Sequence, residues 1–219
     1  MEFIFTESQP NLKSIMTPPI PSKNTVPDWY KKIRPNKELP NVKACAPFLD
    51  ALTSGYTVVT WADIEITSGN ESPEINIKSD FRLVNRREAP SVPTTDEYYQ
   101  IEFTWLRYWI PLLPEGYSAI ITHPLNRLDL PFTTISAIID FDTSLPLAIG
   151  QVPFYLKKNF TGTIPAGTPM FQMFPMRREN WESVVKDFDP NIAAKNDAYI
   201  SSFESSPYKS HMWHKKEYN

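Results

Sequence analysis

Apolar and polar residues alternate with a period of two along most of the middle of this chain, and with a helical period at a few places on either side. At the start, Phe3 and Phe5 stand against Glu2, Ile4 and Thr6, which predicts a short strand. From Tyr56 to Thr67, Tyr56, Val58, Ala62, Ile64 and Ile66 share one side. Ile75, Ile77, Phe81 and Leu83 repeat the pattern, so two strands and a hairpin are expected. The clearest strand runs from Tyr98 to Trp105, with Tyr99, Ile101, Phe103 and Trp105 facing one way and Gln100, Glu102 and Thr104 the other. Tyr117 to Thr122, Thr134 to Asp142, Val152 to Leu156 and Met170 to Met176 are further strands, bounded by proline- and glycine-containing turns. So many short strands imply a sandwich or barrel-like body. The expected core includes Phe48, Leu52, Ile64, Ile101, Phe103, Ile121, Ile139 and Phe174.

Helical spacing marks other parts. Pro47 suits a first helical position, Phe48, Leu49 and Leu52 share a face, and Gly55 can end the helix. After Pro175, Trp181, Val184, Val185 and Phe188 predict one helix. Asp189 as cap, Pro190 as first residue, and Ile192, Tyr199, Ile200 and Phe203 predict a second. Between Pro10 and Pro40 recurrent prolines predict an extended arm carrying Trp29 and Tyr30, which are too apolar for a free linker. Residues 85–97, with Arg86, Arg87 and two prolines, predict a polar loop. Residues 207–219 hold Trp213 and Tyr218 among lysines and predict a tail that docks. The expected organisation is a single domain over 1–219: an arm at 1–44, a β-rich body at 45–176 and a helical end at 177–219.

Composition narrows the functional classes. The 219 residues are 41% apolar and 21% charged, enough for a core without metal or disulfide staples. With 22 prolines and only 6 glycines, long extended connections are expected in place of tight glycine hairpins. A net charge of −3 gives no chain-wide grip on nucleic acid or anionic lipid, so neither direct nucleic-acid binding nor membrane association is expected. The one cysteine, Cys45, forms no internal disulfide and reads as a buried thiol beside an apolar helix. The start has no basic region followed by an apolar run, so export by a signal peptide is not expected, and no stretch is apolar enough to span a bilayer.

Three stretches together resemble a family of uncharacterised proteins from bacteria and tailed phages, notably phages of marine cyanobacteria. They are Cys45-Ala46-Pro47-Phe48-Leu49-Asp50-Ala51-Leu52-Thr53-Ser54-Gly55-Tyr56, then Thr122-His123-Pro124-Leu125-Asn126-Arg127 running to Asp129-Leu130-Pro131-Phe132, and Gly167-Thr168-Pro169 with Gln172 leading to Arg178-Glu179-Asn180-Trp181. The resemblance implies a phage or bacterial origin, hence a virion or host-cytoplasm location, and no mechanism. A second resemblance concerns fold. Thr134 to Asp140, followed by Phe160-Thr161-Gly162-Thr163-Ile164-Pro165-Ala166-Gly167 and the strand bearing Gln172, is similar to the strand order of β-clip proteins such as dUTPases and dCTP deaminases. The expected fold class is therefore mainly β: a β-sandwich or β-clip-like body with a short flanking helix and two C-terminal helices. The phosphate loop and glycine-rich flap of dUTPases have no counterpart here, and Asp140 alone could inherit a water-activating role.

The segment from Thr122 to Thr134 is the best ligand-site candidate, since His123, Asn126, Arg127 and Asp129 crowd between two strands. His123 could act as a base and Arg127 could clamp an anion. Alternatively, His123 and Asn126 bond a proline-rich crossover whose backbone lacks donors, while Arg127 and Asp129 pair locally. His211 and His214 lack the further ligands zinc prefers, and no metal or cofactor is expected. Trp105, Tyr108 and Trp109 read as core before they read as a stacking platform. The functional expectation is a non-enzymatic structural or assembly protein of a tailed phage particle, with Trp29, Tyr30 and Trp213 contacting neighbouring virion or self subunits. The alternatives are a small-ligand or nucleotide-binding β-clip enzyme, or a host-directed binding protein made during infection.

Overall fold

The computed structural model of the chain describes residues 1–36, 41–67, 69, 72–87, 92–143, 150–201 and 207–219. The expected Phe203 and the middle of the polar loop, 88–91, lie outside them. The first strand, β1 (Ile4–Glu7), leads into β2 (Ile20–Pro21) and the short helix α1 (Asp28–Lys32), followed by α2 (Ala46–Thr53). Then come β3 (Tyr56–Val59), β4 (Ile64–Thr67), β5 (Glu74–Ile77), β6 (Val84–Arg87), β7 (Glu102–Arg107), β8 (Trp109–Leu112) and β9 (Tyr117–Thr122). The rest is β10 (Phe132–Thr134), β11 (Ala137–Asp140), β12 (Gly150–Leu156), β13 (Gly162–Ile164), β14 (Pro169–Arg177), α3 (Pro190–Ser201) and α4 (Pro207–His211).

The molecule is mainly β, and every strand pairing among the described residues is antiparallel. A sheet of order β10-β12-β7-β6 packs against one of order β11-β9-β14-β3-β2, with a smaller β13-β4-β5 sheet beside them and β1 paired with β8. Between them lies one apolar core built from all the larger sheets, including Val58, Ile64, Phe103, Trp105, Ile121, Phe132, Phe154 and Met170. Trp105 and Phe154, on neighbouring strands, stack with ring centroids 3.7 Å apart. Of the expected core, Leu52, Ile64, Phe103 and Ile121 are buried, whereas Phe48, Ile101, Ile139 and Phe174 are half-buried at its margin.

Several elements differ from the periodicity in instructive ways. The stretch Tyr56 to Thr67 is two strands in two sheets. The chain turns between them because Thr60 is held by the 165–168 turn: its Oγ1 donates to Pro165 O at 2.8 Å and accepts from Thr168 N at 3.0 Å. Only Ile75 and Ile77 continue the expected hairpin, through β5 paired with β4. The predicted polar loop contains β6, an edge strand whose Arg86 and Arg87 hide its period. β7 is buried along its whole length, so Glu102 lies inside, satisfied by Arg87 Nη1 at 2.7 Å.

The N-terminal arm is not a free extension. Leu12 and Met16 pack with Leu106, Tyr108 and Trp109, β2 adds to the sheet through β3, and Ser22 Oγ bonds Thr57 Oγ1 at 2.7 Å. Cys45 is exposed, contrary to expectation, because α2 turns Ala46 and Leu52 inward and leaves its N-cap residue outside. The C-terminal helices are α3 and α4. The stretch from Trp181 to Phe188, expected to be helical, has no regular structure, and its apolar side chains stay exposed, without the tertiary packing that supports most short helices. α3 starts as its cap predicts, with Asp189 Oδ1 accepting from Asn191 N at 2.8 Å.

Candidate functional site

The segment joining β9 to β10 is a tight crossover. Arg127 N donates to Pro124 O at 3.2 Å, closing a turn in which Asn126 has φ 59°, a left-handed conformation that asparagine tolerates well. His123 sits half-buried at the mouth of this turn. Thr134 N donates to its Nδ1 at 3.2 Å, and its Nε2 bonds Arg127 O at 3.0 Å. A backbone N–H can only donate and a carbonyl can only accept, so the ring is the neutral tautomer with its proton on Nε2. Burial pushes its pKa below the ordinary 6.5, and the charges of Lys157 and Arg127 add to that. Both ring nitrogens are thus committed to the crossover's own backbone. A general base needs its lone pair turned toward a substrate proton, and here that lone pair holds Thr134.

Arg127 and Asp129 form a two-pronged pair: Nε to Oδ1 and Nη2 to Oδ2, each at 2.9 Å. Trp29 Nε1 adds a third donor to Asp129 Oδ1 at 3.3 Å, and Arg127 Nη1 reaches Thr25 O at 3.4 Å. Burial pushes the Asp129 carboxyl up, but the bonds and charge of Arg127 outweigh it and hold the carboxyl below its usual range. These contacts join the crossover to the arm. With its Nε–Nη2 edge taken by Asp129, the guanidinium leaves an anion only the Nη1 side, where Thr25 O already lies 3.4 Å away.

A residue that the site reading passed over connects everything. Gln172, buried in β14, accepts from Leu125 N at 2.9 Å and donates through Nε2 to Ala51 O at 3.1 Å and Ser54 O at 2.6 Å. The stretches 45–56, 122–132 and 167–181 therefore meet at this one amide. The signal was available, since Gln172 is the polar residue inside the apolar run Pro169-Met170-Phe171-Gln172-Met173-Phe174, where a buried strand requires a bonding reason for it.

Asp140 is remote from His123 in role. It accepts from Ser118 Oγ at 2.5 Å and pairs with Arg178 at 3.3 Å, beside Asp142. Asp142 also bonds Arg178 and takes Gly116 N at 2.8 Å. The Arg178 guanidinium holds the Asp142 carboxyl at about 2, against the usual 3.8. This cluster clips the end of β14 to the β9–β11 edge.

The expected partner-binding aromatics face their own chain. Trp29 and Tyr30 pack on Phe48 of α2, and Trp213 Nε1 donates to Asp50 Oδ2 at 2.8 Å, where Lys216 also reaches the carboxylate. Trp105, Tyr108 and Trp109 are buried. Among the described residues no group of three or more histidine, cysteine or carboxylate side chains could hold a metal ion, and no helix is long and apolar enough to cross a membrane.

The large unpartnered apolar surface lies elsewhere. Between β14 and the end of α3, Trp181 is 87% exposed, Val185 95% and Phe188 81%, and Val184, Ile192 and Ile200 are exposed beside them. No protein-family model, curated protein or solved structure matches the chain. The geometry must carry the functional reading.

Proposed function

We propose that this chain is a non-enzymatic structural or assembly protein whose contact with neighbouring chains is made by residues 178–201. The observation that carries the reading is the exposure of Trp181, Val184, Val185, Phe188, Ile192 and Ile200 within one short segment. Each such side chain contributes roughly 1.5–3 kcal/mol when fully buried, so the segment holds an association energy that the monomer leaves unused. Trp181, Val184, Val185 and Phe188 also fall at the spacing of one helical face, which suits docking as an amphipathic helix in a partner's groove. The crossover supports the same reading, because His123, Arg127 and Asp129 are engaged in bracing the fold. The resemblance to proteins of tailed phages makes a phage particle the proposed assembly. The arm and tail, first considered as docking elements, are assigned instead to internal stapling.

The test is quantitative mass spectrometry of purified particles made with wild-type protein and with a Trp181→Glu, Phe188→Glu double variant. A fixed copy number for the wild type, lost in a variant whose melting temperature is unchanged, is the expected result. A protein absent from particles and monomeric in solution, whatever the state of residues 178–201, would overturn the proposal.

A further inference from the structure

Where β7 and β12 meet the β9–β11 edge, the body contains a cavity of about 190 Å³. Its walls are apolar for the most part: Ile110 and Leu112 from β8, Ile121 from β9, Ile139 from β11, Phe141, and Val152 from β12. Among the described residues one cationic side chain lines it. Arg107, the last residue of β7, is only 6% exposed, and its single hydrogen bond among the described residues runs from Nη1 to Trp109 O at 2.7 Å. The guanidinium lies over the Phe141 ring, 5.3 Å from its centroid, and against Gly150. A Cβ at position 150 would stand 2.3 Å from Nη2 and 2.6 Å from Nε, so any side chain there would push the guanidinium aside.

A buried arginine is ordinarily matched by a carboxylate, because removing its charge from water costs several kcal/mol. Here no carboxylate within ion-pair distance is found among the described residues. Asp140 lines the same cavity, but its carboxylate is bonded to Ser118 Oγ and Arg178. Burial accordingly lowers the Arg107 pKa from 12.5 to about 10. Nε and Nη2, the two donors that form one prong pair of a guanidinium, have no hydrogen-bond partner among the described residues, and they belong to a side chain that lines a mostly apolar cavity.

We propose that this cavity binds a small apolar monocarboxylate, its two oxygens taken by Nε and Nη2 of Arg107 and its single ring or short chain lodged among Ile121, Ile139 and Val152. The chemistry selects this class over others. A phosphate dianion calls for several converging donors, whereas one guanidinium edge matches one carboxylate in number and geometry. The volume selects the size: an apolar cavity of about 150 Å³ takes up benzene, while drug-sized ligands need roughly 300 Å³ or more. The inference is independent of residues 178–201, since none of them lines the cavity.

Calorimetric titration of the full chain with benzoate and hexanoate, and with benzyl alcohol and hexanol as neutral counterparts, tests it. The acids are expected to bind at least tenfold more tightly than the alcohols, a difference of about 1.4 kcal/mol. Gly150→Ala, which must push the guanidinium aside, is expected to remove that preference. Should Gly150→Ala fail to fold, Ile139→Phe on the edge strand β11 decides, because its ring occupies the cavity without touching the charge. No binding of either acid, equal binding of acids and alcohols, or acid binding that survives Ile139→Phe would each overturn the assignment.

Discussion

The arm before α2 and the segment after β14 look alike as sequence, each a run of a little over forty residues with isolated large apolar side chains, yet the structure treats them differently. In the arm, several large apolar residues find a place prepared by the body, although Ile4 and Ile15 stay half-exposed. Leu12 is 0% exposed, Met16 lies beside it against Leu106 and Trp109, and Tyr30 stacks on Phe48. Prolines help here, since a chain already held extended loses little freedom when it is laid across a surface. After β14 the Arg178 clip to Asp142 is followed by a stretch in which Trp181, Val184, Val185, Phe188 and Ile192 stay exposed, before Trp213 returns to the body at Asp50. An apolar residue in a peripheral segment therefore identifies a contact without identifying the chain that makes the other half of it.

The contrast is most easily broken by truncation on each side. Leu12→Ala removes a fully buried side chain from a cluster with little freedom to collapse and is expected to destabilise the fold by about 3 kcal/mol. Trp181→Ala removes a larger side chain and is expected to change stability by no more than about 0.5 kcal/mol. Urea denaturation of the two variants checks both at once. Equal losses would mean that residues 178–201 pack on the body in solution.

Gln172 sharpens the comparison from inside the body. Gln172→Leu keeps the volume but strands Leu125 N and the carbonyls of Ala51 and Ser54, which should cost about 2 kcal/mol. Gln172→Glu retains an acceptor for Leu125 but sets a carboxylate against two carbonyls, so it should be at least as unstable at neutral pH. A neutral Gln172→Leu, read from the urea midpoint, would remove Gln172 as the tie between α2, the crossover and β14.

These particulars show what the sequence made legible. β9 is legible to the residue, and β12 and β14 nearly so, because each is a short apolar-rich stretch bounded by proline- or glycine-containing turns. β6 was hidden by the charges that protect an edge, and the break between β3 and β4 was hidden because alternation survives a change of sheet. At the crossover the sequence shows His123, Asn126, Arg127 and Asp129 crowded between two strands, but not which of their groups are free. That depends on Thr134 and Gln172, which approach from 11 and 47 residues away. Periodicity carries no information about such meetings. The Arg107 cavity was invisible for the same reason, since a lone arginine at a strand end is ordinarily a solvated one.

The smallest expected effect is also the one that isolates His123. Its folded-state pKa is depressed, chiefly by burial, while in the unfolded chain it titrates near the ordinary 6.5. Below that value the unfolded chain takes up a proton that the folded chain refuses, so unfolding gains on folding as pH falls. The stability from neutral His123 is complete above pH 6.5 and is lost as pH drops from there through the folded pKa. Lys157, Arg127 and Asp129 are the charges that face the ring, and the carboxylates whose values are lowered, Asp129 and Asp142 from 3.8 and Glu217 from 4.5, titrate outside this window. Urea midpoints measured between about pH 7 and pH 5 should therefore fall with acidification in the wild type and fall less in His123→Gln. His211 and His214 remain in that variant, so the slope that disappears belongs to His123. An unchanged slope would mean that the ring takes up its proton as readily folded as unfolded, and that its bonds to Thr134 and Arg127 do not hold the neutral form.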